Sequence, residues 1–187
     1  MLLIVLFSVP CLACTVPFDG MHMNSSASLC NDVYFLDDGI HISGEDVRLD
    51  CDGAILKGSY DGAGVSITGH NITVENCRIL NYETGFIAID ASSVFLVENH
   101  LVRNFVGTSF FLVKDSLIYN YDVSLHSPLL VLSSWDNVIS SMNRFFEGGF
   151  CSNNFCNSAR MGVETALVPK NDEESFQKWF AGVLTEW

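Results

Sequence analysis

Apolar and polar residues alternate along short segments of this chain, and similar segments return at a nearly constant spacing. Residues 47–58 read VRLDCDGAILKG, residues 64–82 read GVSITGHNITVENCRILNY, and residues 85–105 read GFIAIDASSVFLVENHLVRNF. Alternation with a period of two is typical of strands that bury one face. None of these segments shows helical spacing over a length that would fill half a repeat. The pattern therefore predicts a chain made of short strands and turns.

Four asparagines mark the repeat. They occur at intervals of 23, 21 and 23 residues: Asn76, Asn99, Asn120 and Asn143. A period of this size indicates a solenoid, in which each repeat stacks on the next. Equivalent residues of successive turns in a parallel β-helix lie roughly 4.8 Å apart. We therefore predict an asparagine ladder, in which side-chain amides hydrogen-bond along the stack.

Turn-forming residues divide the chain into parts. Residues 1–13 are predicted as a signal peptide, and residues 14–32 as a lead-in loop because they contain Pro17, Gly20 and a cluster of small polar residues. For residues 33–149 we predict an all-β fold, a right-handed single-stranded parallel β-helix of about five coils that begins with an N-terminal strand.

Residues 150–187 are predicted to form a cysteine loop and a C-terminal helix. Asn171 with Glu174 matches the start of a helix, and large apolar residues follow at helical spacing: Phe176, Trp179, Phe180, Val183, Leu184 and Trp187. The ends of a solenoid expose unpaired strands, so we expect this helix to cover the last coil. Membrane docking is the alternative, and Glu173 and Glu186 on the polar face disfavour it.

The N-terminal apolar run favours export. Residues 1–9 are apolar apart from Ser8, and they are too few to span a bilayer. A buried N-terminal strand is the alternative, since the basic residues of a signal peptide are missing. Cleavage after Ala13 would leave Cys14 first, as in a lipid-anchored protein, although Cys11 stands where such sites place Leu.

Composition narrows the possible partners. The chain has 187 residues, of which 49% are apolar and 17% charged, as expected for one folded domain with a dense core. Its net charge is −13, and it contains no cluster of lysines and arginines. Nucleic acids and anionic lipid headgroups attract such clusters. We therefore expect no nucleic-acid partner. We expect no transmembrane span either, because the apolar run at residues 1–9 is too short for one, and no feature specifies an oligomer.

Six cysteines follow the predicted signal peptide, and they can form disulfides if the chain is exported to an oxidising environment. Cys151 and Cys156 flank a polar loop and are the first candidate for a disulfide. The second candidate is Cys14 with Cys30.

Cys51 and Cys77 fall at equivalent places of adjacent coils. For this pair we favour buried, unbridged side chains stacked in the core over a disulfide or a reactive thiol. The spacing of the cysteines does not match a zinc site.

Alternation also assigns the two faces of each strand. The predicted inward residues are Val47, Leu49, Ile72, Val74, Phe95 and Val97, and the predicted outward residues are Arg48, Asp50, Thr73, Glu75, Leu96 and Glu98. Asp50, Glu75 and Glu98 would then form a column of acids. Like charges about 5 Å apart repel by about 1 kcal/mol or more, so such a column raises carboxyl pKa values or binds a cation, with Ca²⁺ the natural candidate.

The acid column has other interpretations. Solvated acids keep an exposed sheet soluble, and acids at this distance also bind sugars. A carboxyl separation of about 5 Å suits retaining glycoside hydrolases, which makes Asp50, Glu75 and Glu98 candidate catalytic residues. Arg48 would either screen Asp50 or bind a substrate carboxylate.

The motifs GEDVRLDCDGAILKG at 44–58, GVSITGHNITVENCRILNY at 64–82 and TGFIAI at 84–89 resemble the right-handed parallel β-helix proteins known as carbohydrate-binding and sugar-hydrolase domains. That group includes periplasmic copper-binding proteins. The resemblance covers roughly residues 30–147 and implies the fold. It is a poor guide to activity, because the repeated residues are those that build the coil. No catalytic signature of β-helix pectinases or lyases is present.

These observations lead to three hypotheses. The first is an exported β-helix module at the cell surface that binds a glycan or a cation. The second is a structural module with no ligand. The third is a polysaccharide lyase or glycoside hydrolase acting on an extracellular polysaccharide.

Overall fold

The computed structural model describes residues 14–132, 134, 137–140, 142–143 and 155–157. Within this part, all regular structure is β, and fifteen strands join in one sheet through parallel pairs. The chain winds into a parallel β-solenoid of about five turns, which confirms the predicted fold class. The predicted capping helix lies outside the described residues.

The strand bounds follow the chain in order. They are β1 (Met21–Met23), β2 (Ala27–Ser28), β3 (Val33–Phe35), β4 (Ile40–Glu45), β5 (Arg48–Asp50), β6 (Ile55–Lys57), β7 (Ala63–Glu75), β8 (Arg78–Leu80), β9 (Thr84–Val102), β10 (Val106–Phe111), β11 (Leu117–Val123), β12 (Ser127–Leu132), β13 (Val138–Ser140), β14 (Met142–Asn143) and β15 (Phe155–Asn157).

The strands stack into three faces. The first face contains β1, β4, the first parts of β7 and β9, then β10 and β12. The second contains β2, β5, the end of β7, the middle part of β9, then β11, β13 and β15. The third contains β3, β6, β8 and the ends of β9 and β11, followed by β14. The segment 14–32, predicted as a lead-in loop, therefore contributes β1 and β2 to the stack.

Much of the interior is filled by columns of apolar side chains that successive coils contribute at equivalent inward positions. On the second face, the column consists of Leu49, Val74, Leu96 and Ile118, all of them buried. Removal of this apolar surface from water is the main force that holds the coils together. The predicted inward placement of Val47, Leu49, Ile72 and Val74 is confirmed.

The register of the next coil differs from the sequence alignment by one residue. Asp50 pairs with Glu75, as predicted, but Glu75 pairs with Val97 instead of Glu98. A slip of one residue turns every side chain of a strand to the opposite face. Val94 and Leu96 consequently point inward with no exposed surface, so the prediction that Phe95 and Val97 are inward and Leu96 is outward is wrong.

Candidate functional site

The turn between the second and third faces is organised by one buried column of side chains, contributed by successive coils: Cys51, Cys77, Asn99 and Asn120. Cys51 and Cys77 form a disulfide with a Cα–Cα distance of 4.8 Å. This corrects the expectation of unbridged thiols, because stacking of adjacent coils brings equivalent Cα atoms to a distance that a disulfide spans.

The second half of the column is held by amides. Asn99 Oδ1 accepts the Cys77 N–H at 3.0 Å, and Asn99 Nδ2 donates to the Val74 carbonyl at 2.9 Å and to Asn120 Oδ1 at 3.0 Å. Asn120 Oδ1 also accepts the backbone N–H of Asn99 at 3.2 Å. The described structure thus joins Asn99 and Asn120 in a ladder.

The other two asparagines of the predicted ladder lie elsewhere. Asn76 precedes the column by one residue, in a left-handed conformation with φ 57°, and its amide donates to Asp50 Oδ1 at 3.1 Å. Asn143 pairs through its backbone with Asp122 on the third face.

The same amide geometry recurs at the other two turns. Asn104 Oδ1 accepts the Tyr82 N–H, and its Nδ2 donates to the Ile79 carbonyl. Asn137 bonds the Ser116 N–H and the Val113 carbonyl in the same way. A buried asparagine therefore replaces the ladder partners that the backbone loses where a coil turns.

The predicted acid column is reduced to a pair. Asp50 and Glu75 stack, but each carboxylate already accepts hydrogen bonds from the protein. Arg48 pairs with Glu75, and its Nε donates to Glu75 Oε1 at 2.8 Å. The Asp52 N–H donates to Asp50 Oδ1 at 2.9 Å. Glu98 stands outside this column, at a turn position with φ 54°. Among the described residues, no group of three or more His, Cys, Asp or Glu side chains is arranged to hold a metal ion.

A groove of about 750 Å³ lies outside the turn between the second and third faces. We call it the corner groove. The side chains used below are contributed by four successive coils: Asp52, Arg78, Glu98, His100, Tyr119 and Tyr121. Three coil steps of about 4.8 Å give a length of roughly 14 Å.

Two tyrosines form the exposed aromatic part of the corner groove. Tyr119 and Tyr121 are 43% and 39% exposed and flank the buried Asn120 on β11. The pairing of β11 with β9 is irregular between these tyrosines. The His100 ring lies with its centroid 5.5 Å from that of Tyr121, so the aromatic surface continues onto the preceding coil.

Polar groups complete the corner groove. Arg78 and His100 are paired neighbours on the third face, and Tyr121 follows them in the same outward column. Asp52 and Glu98 provide carboxylate acceptors in two different coils. The groove thus combines aromatic faces with a guanidinium and two acids, an arrangement that suits a ligand with both apolar surface and hydroxyl groups.

The remaining cysteine predictions have different outcomes. Cys14 and Cys30 form a disulfide with a Cα–Cα distance of 4.8 Å. The sulfur of Cys14 is thereby used, so a thioether lipid anchor on it is chemically incompatible with this structure. The side chains of the predicted Cys151–Cys156 pair lie outside the described residues.

No family model matches the chain, and neither the curated proteins nor the solved structures gave a match. The structure supports the parallel β-solenoid fold that the sequence motifs imply, and no match confirms a specific repeat family. Among the described residues, no helix is long and apolar enough to cross a membrane.

Proposed function

We propose that this protein is an exported carbohydrate-binding module, and that the corner groove binds a neutral oligosaccharide. The observation that carries the proposal is the pair of exposed tyrosines, Tyr119 and Tyr121, beside Arg78 and two carboxylates. Aromatic rings pack against the apolar faces of sugar rings, and charged groups bond the hydroxyls at their edges. The two disulfides support an oxidising, extracytoplasmic environment.

The charge of the corner groove favours a neutral glycan over a polyanionic one. The corner groove has two acids, Asp52 and Glu98, against one arginine, Arg78, and the whole chain carries a net charge of −13. A polyanion would meet repulsion from both. Arg78 instead supplies several N–H donors to neighbouring hydroxyls, while the acids accept from them. The roughly 14 Å length, three coil steps, suits a short oligosaccharide segment.

A glycan array followed by calorimetric titration of the best oligosaccharide tests this proposal. Loss of one aromatic contact removes about 1 kcal/mol, so Tyr119→Ala and Tyr121→Ala should each weaken binding about 3- to 10-fold. Tyr60→Ala is the matched control, because Tyr60 is 38% exposed but does not line the groove.

Two results would overturn the proposal. The first is an array on which no glycan binds, which would favour a structural module. The second is binding that all three variants leave unchanged. Release of reducing ends during the titration would instead favour the glycoside hydrolase or lyase hypothesis.

A further inference from the structure

Two asparagines stand in acceptor sequences for N-linked glycosylation. They are Asn24, in Asn24-Ser25-Ser26, and Asn71, in Asn71-Ile72-Thr73. An Asn followed at the second position by Ser or Thr, with no proline between, is the acceptor of an oligosaccharide in the secretory pathway. We propose that Asn24 and Asn71 are both N-glycosylated. The proposal rests on the exported part of the function above and is independent of glycan binding in the corner groove.

The structure places both acceptors where a glycan can project into solvent. Asn24 is exposed in the bend between β1 and β2, and Asn71 is exposed at the corner inside β7, with φ 52°. The fully or nearly buried asparagines lack a hydroxyl residue at the second position: Asn99, Asn104, Asn120 and Asn137. Among these asparagines, the acceptor sequence thus coincides with side chains that have room for a sugar.

The local hydrogen bonds tolerate the modification. Asn71 Nδ2 donates to Asp46 Oδ1 at 2.6 Å. A glycosylated amide retains one N–H, so this bond can persist while the sugar projects outward. Ser26 Oγ accepts the Arg48 N–H at 2.9 Å, which fixes the bend that carries Asn24.

The transfer itself is a substitution at a sugar carbon. The asparagine amide nitrogen bonds to C1 of a lipid-pyrophosphate-linked oligosaccharide, the bond from C1 to the pyrophosphate oxygen breaks, and the lipid pyrophosphate leaves with the electron pair. The amide loses one proton, and no oxidant or reductant is involved. Ile72 is fully buried after folding, so modification of Asn71 has to precede closure of its coil.

Both glycans would lie at the turn from the first face to the second. The corner groove is at the following turn, between the second and third faces, so it stays open. The glycan on Asn24 has a further consequence. Among the described strands, β1 pairs with β4 alone, whereas β2 pairs with β5 on one side and its Ser28 carbonyl accepts the Thr15 N–H on the other. A bulky sugar beside the edge of β1 hinders end-to-end pairing of two molecules.

The test is expression of the full chain in secretory cells that glycosylate, followed by intact mass before and after peptide N-glycosidase. Site mapping uses the conversion of Asn to Asp in ¹⁸O water. We expect two glycans on the wild type, and one on Asn24→Gln and on Thr73→Ala. The last variant removes the acceptor while keeping Asn71 at its left-handed position. Ser26→Thr and Thr73→Ser preserve both acceptors and should carry two glycans.

A secreted wild type that contains both disulfides but whose mass the glycosidase leaves unchanged would overturn the proposal. Modification of only one asparagine would overturn it for the other. Either result is separate from the array and titration, which test the corner groove.

Discussion

Replacement of Asn99 by alanine should strongly destabilise the protein, because its amide supports the turn between the second and third faces. The variant loses the bonds to the Cys77 N–H, the Val74 carbonyl and Asn120 Oδ1. The Cys77 N–H and the Val74 carbonyl are left without these partners in a buried turn. Each unsatisfied buried group costs about 1–3 kcal/mol, so the two groups together should lower the free energy of unfolding by about 2–6 kcal/mol.

This loss is a large fraction of the roughly 5–15 kcal/mol that stabilises a typical domain. Denaturant unfolding followed by far-ultraviolet circular dichroism measures it. Asn31→Ala is the matched control: Asn31 is exposed, and surface changes usually stay within about 0.5 kcal/mol. If Asn99→Ala lost no more stability than Asn31→Ala, the turn would not depend on this amide and the reasoning would be refuted.

Three further predictions concern the interior. Burial raises the pKa of Asp122 to about 7, so its carboxyl is protonated in the folded state at pH values where the unfolded chain has ionised it. Stability should therefore fall as the pH rises from about 4 through 7. Asp122→Asn should raise the free energy of unfolding at pH 8 by up to about 4 kcal/mol and change it little at pH 4; an equal effect at both would contradict this. Replacing Cys51 and Cys77 together by alanine should cost about 2–4 kcal/mol, and an unchanged denaturation midpoint under non-reducing conditions would argue against the bridge. Gly85→Ala should cost about 1–3 kcal/mol, since its Cβ would lie 2.6 Å from the Gly107 carbonyl oxygen; unaltered thermal unfolding would show that the coils can separate there.

The solenoid could be predicted from the sequence because alternation and repeat length are both visible in the letters. The shift that stacks Glu75 on Asp50 also follows from them. The shift between this coil and the following one could not be predicted. The repeated letters Val-Glu-Asn suggest that Asn99 stacks on Asn76, whereas Glu75 pairs with Val97. In the structure, the residue before the buried column is left-handed in both coils, Asn76 in one and Glu98 in the next. Glutamate is not among the residue types that favour this conformation, so the sequence does not reveal it.

The corner groove could not be predicted for a related reason. Its tyrosines lie on a coil whose alternation is weak, since inward positions there are polar. Ser116 is buried and accepts the Val94 N–H at 2.8 Å, and Asn120 is buried beside Asn99. Such polar residues look like surface residues in a sequence, and only the hydrogen bonds across the coils show that they face inward.

The disulfide between Cys51 and Cys77 illustrates the same limit. The sequence shows that the two cysteines hold equivalent positions in adjacent coils. A disulfide also requires that both side chains point to the same side of the turn. Burial of both residues in a single column supplies that condition.

Footprinting with a carbene reagent, in the presence and absence of the best oligosaccharide, tests the assignment of the corner groove most directly. The account predicts that labelling of Tyr119 and Tyr121 falls when the oligosaccharide is bound, while labelling of Tyr60 is unchanged. Protection confined to the faces around Arg48 and Glu75, with both groove tyrosines labelled as before, would contradict it.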